Sequence, residues 1–158
     1  MAKARKPSTW YVQIRTPLQV REAPDEIRCC RTPADASRLL PNYGNLDREL
    51  FCTVLLNGKN NVINVVETTH GLADASLVHP REVFREAIRQ NALAVVLLHN
   101  HPSGDPTPSA EDIRITRQLI EAGRIIDIKV MDHIIVGRPN VRTPGFCSLR
   151  EEGVVSFV

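Results

Sequence analysis

Two histidines and an aspartate carry the most specific chemistry in this sequence. His99 and His101 stand at i and i+2, directly after the apolar run 94–98 (AVVLL), which reads as a strand buried on both faces. On extended backbone, residues two apart project to the same side, so both imidazoles point together and Asn100 points away. The turn that follows holds Pro102, Gly104, Pro106 and Pro108, which cannot continue a strand and leave the chain little freedom. Ser109 then opens an amphipathic helix, with Asp112 in its first turn. A strand end and a helix start joined by a stiff turn bring two neutral nitrogens and one carboxylate towards a single ion. Three ligands of N, N and O type leave a fourth tetrahedral position open, the arrangement of a catalytic zinc site. His99, His101 and Asp112 are therefore the expected metal ligands. A plainer reading covers part of the pattern, because Ser109 and Asp112 also have the spacing of a capping box and histidine pairs beside turns are often simply exposed. Capping and ligation are compatible, and the plainer reading leaves the conjunction of all three residues unexplained.

Hydrolysis at such an ion also needs a group that takes a proton from the attacking water and returns it to the leaving group. Glu49, Glu67, Glu82, Glu86 and Glu111 are the candidates, and spacing alone does not select among them. Glu82 and Glu86 fall on the polar side of a helix, and Glu111 points about 100° around its helix from Asp112. Glu49 stands just before the first strand of an expected hairpin and Glu67 just after the second, so either could reach a cleft at the sheet's end. The Ser109 hydroxyl caps its helix. His133 is expected either behind a ligand or as a satisfied core histidine, and His70 and His79 as surface or capping residues. Ser103 with His101 as its base lacks the G-x-S-x-G elbow of a serine nucleophile.

The elements that must position these groups follow from pattern. Residues 9–14 (TWYVQI) predict a short strand, and 32–40 a helix with an N-cap and Pro33 at N1. Residues 51–56 and 61–66 flank a Gly-containing turn and predict a hairpin. A helix over 81–90 presents Val83, Phe84, Ala87 and Ile88 on one face. The helix over 110–122 is expected to close at Gly123, and 127–136 to form a strand with Ile128, Val130, Ile134 and Val136 on one face. Residues 146–149 predict a last edge strand. The outcome is an α/β fold, a three-layer α-β-α sandwich with a mixed sheet and the site at a strand's carboxyl end.

Composition sets the outer bounds. The 158 residues are 42% hydrophobic and 24% charged, ordinary globular usage for one core. A net charge of +2 is too mild to predict nucleic-acid binding. Residues 1–32 hold seven Lys or Arg against three Asp or Glu, scattered as in a solvated tail. Cys29, Cys30, Cys52 and Cys147 lack C-x-x-C pairing and are expected as free thiols. No apolar run approaches membrane-spanning length and no signal-like h-region follows the basic start, so a cytoplasmic protein without a membrane partner is expected.

His-x-His, seven residues, then Ser-x-x-Asp resembles the JAMM (MPN-plus) metalloprotease signature, here His99, His101, Ser109 and Asp112. The longer string HNHPSGDPTPSAEDI, with VHPREVFREAIRQNA before it and DHIIVG after it, is similar to the RadC-like subfamily over about residues 45–155. RadC proteins usually begin with a helix-hairpin-helix-like region; this chain resembles the shortened forms found on mobile elements. The expected division is an extension over 1–44 and a JAMM/MPN domain over 45–158. The resemblance implies a fold related to cytidine deaminase, a zinc metallohydrolase acting on a peptide or isopeptide, Glu49 as acid/base, and Ser109 as a donor to the oxyanion. It also brings a nucleic-acid association by family name alone. A zinc deaminase would need H-x-E and a later P-C-x-x-C, and neither is present. A two-metal nuclease would gather more carboxylates than Asp112 and Asp105. The remaining rival is a non-catalytic module that binds DNA or protein.

Overall fold

The computed structural model describes residues 29–40, 42–70, 78–141 and 143–157. The strand expected over 9–14 lies outside them. Five strands, β1 (Leu50–Leu56), β2 (Val62–His70), β3 (Ala94–Asn100), β4 (Lys129–Val136) and β5 (Phe146–Ser148), form one sheet in the order β2-β1-β3-β4-β5. The sheet is mixed: β3 and β4 run parallel, and the other neighbours are antiparallel. All seven residues of β3 are buried, as its unbroken apolar run predicts for a central strand.

Helices cover both faces. Val95 and Leu97 face a core shared with Phe84 of α2 (Pro80–Arg89) and with Ile115 and Leu119 of α3 (Ala110–Ile125). Val96 and Leu98 face a second core closed by Ala36 of α1 (Pro33–Arg38) together with Leu39 and Leu40. This is the expected three-layer α/β sandwich, with one core on each side of the sheet.

Several expectations need correction. β2 runs on to His70, so Glu67 lies within the strand, opposite Cys52, rather than after it. On α2, Val83, Phe84 and Ala87 are buried, while Ile88 falls beyond that arc in the last turn and is 57% exposed. α3 does not stop at Gly123 but continues to Ile125. Gly123 is needed for close packing, since a Cβ there would stand 2.5 Å from the Ile128 carbonyl oxygen. The left-handed residue after the helix is Asp127, with φ 56°.

The most consequential difference is in β4. Val95 pairs with Val130 and Val96 with Asp132, so Met131 is an extra residue, a β-bulge. The bulge shifts the alternation by one residue. Ile128 and Val130 therefore enter the α2/α3 core, whereas Ile134 and Val136 enter the α1 core, so the four do not share a face. Unbroken alternation from Val130 would have turned His133 away from α3; the bulge turns it towards that helix.

Candidate metal centre

The site forms where β3 ends and α3 begins. His99 is the last inward residue of β3 on the α3 side, following Val95 and Leu97 on the same face. His101 follows one residue after the strand, its N–H bonded to the Val136 carbonyl at 3.1 Å. At the start of α3, Ser109 and Asp112 make the expected capping box. The Asp112 N–H donates to Ser109 Oγ at 3.1 Å and the Ser109 N–H to Asp112 Oδ2 at 2.7 Å. Capping also orients the carboxylate, which is buried and turned towards the imidazoles.

His99 Nε2 lies 3.0 Å from His101 Nε2, and it meets Asp112 Oδ1 at 3.1 Å. His101 Nε2 meets Asp112 Oδ2 at 3.3 Å. These three residues form a group that could hold a metal ion. Bonds of about 2.0–2.1 Å around a tetrahedral ion imply ligand-to-ligand distances of about 3.3–3.4 Å. The nitrogen–nitrogen separation, and the separation of each nitrogen from one of the two carboxylate oxygens, fall within a few tenths of an ångström of that value.

The hydrogen bonds behind the ligands fix which nitrogens carry protons. Thr116 Oγ1 donates to the Asp112 carbonyl at 2.5 Å, so at its 2.6 Å contact with His133 Nδ1 the hydroxyl accepts. His133 Nδ1 is then the protonated nitrogen and Nε2 the bare one, which accepts from His99 Nδ1–H at 2.8 Å. His99 is left with its Nε2 lone pair facing the site. His101 Nδ1–H donates to the Asp105 carbonyl at 2.8 Å, which directs its Nε2 to the same point. This is the arrangement by which a backbone carbonyl or a neighbouring side chain orients metal-binding histidines. Phe51 stacks on His99 with ring centroids 6.0 Å apart and meets His133 edge-on at 5.5 Å, which confines both rings.

Charge reinforces the geometry. Burial opposes ionisation of Asp112, yet the His101 and His99 rings, which donate to it whenever Nε2 takes up a proton, and the Ser109 hydroxyl hold its carboxyl far below the usual range. The Asp112 hydrogen bond raises the pKa of His101 against the effect of burial, helped by the Asp105 carbonyl and by the charges of Asp112 and Glu49. Burial, then the charge of His99, pushes the pKa of His133 well down, so it stays neutral.

Glu49 is half-buried and precedes Leu50, the first residue of β1, within electrostatic reach of His101. Glu67, by contrast, lies across from Cys52, whose side chain belongs to the α1 core on the other face. Glu82 and Glu86 pair with arginines of their own helix, and Glu111 pairs with Arg114. His79 is the N-cap of α2, its Nδ1 accepting from the Arg81 N–H at 3.2 Å. Ser103 Oγ accepts from the Asp105 N–H at 3.2 Å and serves the turn. The Ser109 hydroxyl donates to Asp112 Oδ2 at 2.6 Å. All four cysteines are free thiols. Sequence reasoning missed Phe51 and Thr116. The signal for Thr116 was present: a polar residue four positions after Asp112, on the stripe that α3 buries.

A mixed sheet between helical layers, with a His-x-His and aspartate group at the exit of its central strand, is an α/β fold of the JAB/MPN type. Residues 30–154 match the family described as RadC, RadC-like JAB domain, and the chain belongs to that family. It is 51% identical over 127 residues to a UPF0758 protein of Symbiobacterium thermophilum, covering 80% of this chain and 52% of that one. A UPF0758 protein of Moorella thermoacetica is 50% identical over 126 residues, covering 79% and 53% respectively. A third, from Geotalea uraniireducens, is 57% identical over 90 residues, covering 57% and 40%. The chain thus spans about half the length of the curated relatives it matches. Among the described residues, no helix is long and apolar enough to cross a membrane.

Proposed function

We propose that this chain is a zinc-dependent hydrolase that cleaves an amide bond in a peptide or isopeptide. One observation carries the reading: two imidazole nitrogens whose outer hydrogen bonds leave Nε2 bare lie 3.0 Å apart, each within 3.3 Å of an oxygen of one ionised carboxylate. Bare lone pairs 3.0 Å apart are repulsive unless a cation or a proton stands between them. The donor set of two imidazoles and one carboxylate suits zinc, although other divalent ions accept it as well.

His99, His101 and Asp112 would hold the ion. Zinc, when bound, supplies Lewis acidity and lowers the pKa of a water molecule to about 7. Glu49 accepts a proton from the attacking water and delivers it to the amine as the C–N bond breaks, so the carboxylate is regenerated with each turnover. His133 and Thr116 keep the His99 lone pair aimed inward through the cycle. Ser109 secures Asp112, and rotation of its hydroxyl would let it donate to the oxyanion.

The test is elemental mass spectrometry of the purified protein beside His101→Ala and Asp112→Ala, followed by amide hydrolysis with Glu49→Gln. The expected results are near-stoichiometric zinc that both ligand substitutions abolish, and a Glu49→Gln protein that keeps zinc and loses turnover. A folded wild type that takes up no zinc from a buffered supply would overturn the hydrolase in favour of a binding module.

A further inference from the structure

We propose that Asn100, between the two histidines, is the positioning residue for Glu49. The reading builds on the hydrolase proposal, which supplies a task for Glu49, but it rests on separate contacts. Asn100 is fully buried, and its side chain points away from the metal centre, on the face shared by Val96 and Leu98. The paired positions of β1 and β3 end at Phe51 and His99. One residue further along, the Asn100 carboxamide takes over the pairing. Its Oδ1 accepts from the Leu50 N–H at 2.8 Å, and its Nδ2 donates to the Arg48 carbonyl at 3.0 Å. The orientation of the amide is unique, because the Leu50 N–H can only donate and the Arg48 carbonyl can only accept.

These two contacts bracket Glu49. The Arg48 carbonyl belongs to the peptide plane before Glu49, and the Leu50 N–H to the plane after it. Holding both planes fixes both backbone torsions of Glu49, and with them the direction of its Cα–Cβ bond. A single side chain therefore sets the direction in which the Glu49 side chain leaves the backbone. Asn100 also pairs with Val136 of β4 through its own backbone, so the clamp is anchored in the sheet. Because its chain neighbours are His99 and His101, the three-residue segment registers the proton-carrying group against the metal ligands. The task needs a short side chain with one donor and one acceptor. Leucine of similar shape has neither, and aspartate keeps only the acceptor.

The experiment compares Asn100→Leu, Asn100→Asp, Glu49→Gln and the Asn100→Leu/Glu49→Gln pair, each loaded with cobalt(II). Hydrogen exchange by NMR reads the clamp. Asn100→Leu should speed exchange of the Leu50 amide at least tenfold while the amides of residues 52–56 keep their protection and one cobalt per chain is retained. The pH midpoint of the cobalt visible spectrum reads the position of Glu49. Glu49→Gln should shift it, Asn100→Leu should shift it in the same direction, and the double variant should go no further than Glu49→Gln alone. Asn100→Asp should give a smaller change in both measurements and decides the matter if the leucine variant does not fold. Unchanged Leu50 exchange, or a wild-type midpoint in the Asn100 variants beside a shifted one in Glu49→Gln, overturns the positioning role. Failure of the hydrolase reading looks different: no cobalt binds, or Glu49→Gln itself leaves the midpoint in place, and Asn100 is then a strand clamp without a catalytic partner.

Discussion

At the scale of single residues, the site is a competition between a metal ion and a proton for the same lone pairs. Without a cation, the point where His99 Nε2, His101 Nε2 and Asp112 converge favours a proton, and the raised pKa of His101 expresses this. Asp112 stays ionised throughout, so His101 sets the pH dependence. Below the elevated His101 pKa the ion must displace a proton; above it, none. Zinc affinity should therefore fall as pH drops through that value, by up to tenfold per pH unit, with release approaching one proton per ion bound. Calorimetry in buffers of differing ionisation enthalpy counts that proton, and a pH-independent affinity across the range would contradict the assignment. Behind the ligands, His133→Leu removes the acceptor that orients His99 and leaves its Nδ1–H buried without that bond. Loss of such an orienting partner typically lowers metal affinity about 10- to 100-fold. Chelator competition should show a drop of that size while zinc still binds at one per chain. An unchanged affinity would make His133 only a core residue.

At the scale of elements, the sequence was legible wherever periodicity ran unbroken. The apolar run of β3, the i, i+3, i+4 burial of α3 and the Ser109 cap all appear as the pattern predicts, because each depends on local chemistry. What escaped was set by neighbours. The Met131 bulge inserts one residue whose signature in sequence is nil, yet it decides that His133 faces His99. The strand β2 outruns its apolar segment because Glu67 and Thr69 pair with Cys52 and Phe51 of β1, and Thr68, the extra residue between them, meets Thr53 Oγ1 through its own Oγ1 at 3.0 Å. The stiff turn after His101 is likewise held from outside. Gly104 accepts from the Arg138 N–H at 2.8 Å, and Gly137 lets the turn lie directly on the end of β4. A Cβ on Gly137 would stand 2.3 Å from the Gly104 carbonyl oxygen and 2.9 Å from Pro106 N, both backbone atoms that cannot swing aside. Gly137→Ala should therefore cost about 1–3 kcal/mol of stability, as overpacking does. It should also weaken zinc binding, because the displaced turn carries the Asp105 carbonyl that orients His101. Urea denaturation and chelator competition on one preparation check both effects, and a loss of stability without loss of affinity would separate the turn from the site.

At the scale of the whole molecule, the donor group ties the start of α3 to the end of β3 and, through His133, to the bulged strand β4 beside it in the sheet. An ion bound there is a cross-link between the sheet and the layer above it. In the metal-free protein the same point concentrates two lone pairs and a carboxylate, a feature the unfolded chain does not share. Zinc that binds the native arrangement and not the unfolded chain stabilises folding by RT ln(1 + [Zn]/Kd), about 2.7 kcal/mol at a hundredfold excess over Kd. For a chain of this size each kcal/mol moves the midpoint by about 2–4 °C, so thermal unfolding should shift upward by about 5–11 °C. The increment should grow with the logarithm of zinc concentration, reverse on adding a chelator and vanish in His101→Ala. Hydrogen exchange should slow most at residues 99–101 and 109–116, where the cross-link acts, and little at the remote end of α2. A uniform slowing across the sheet would instead mean that the ion acts on global unfolding alone. A midpoint indifferent to zinc would mean that the convergent donors bind nothing tightly enough to matter to the fold.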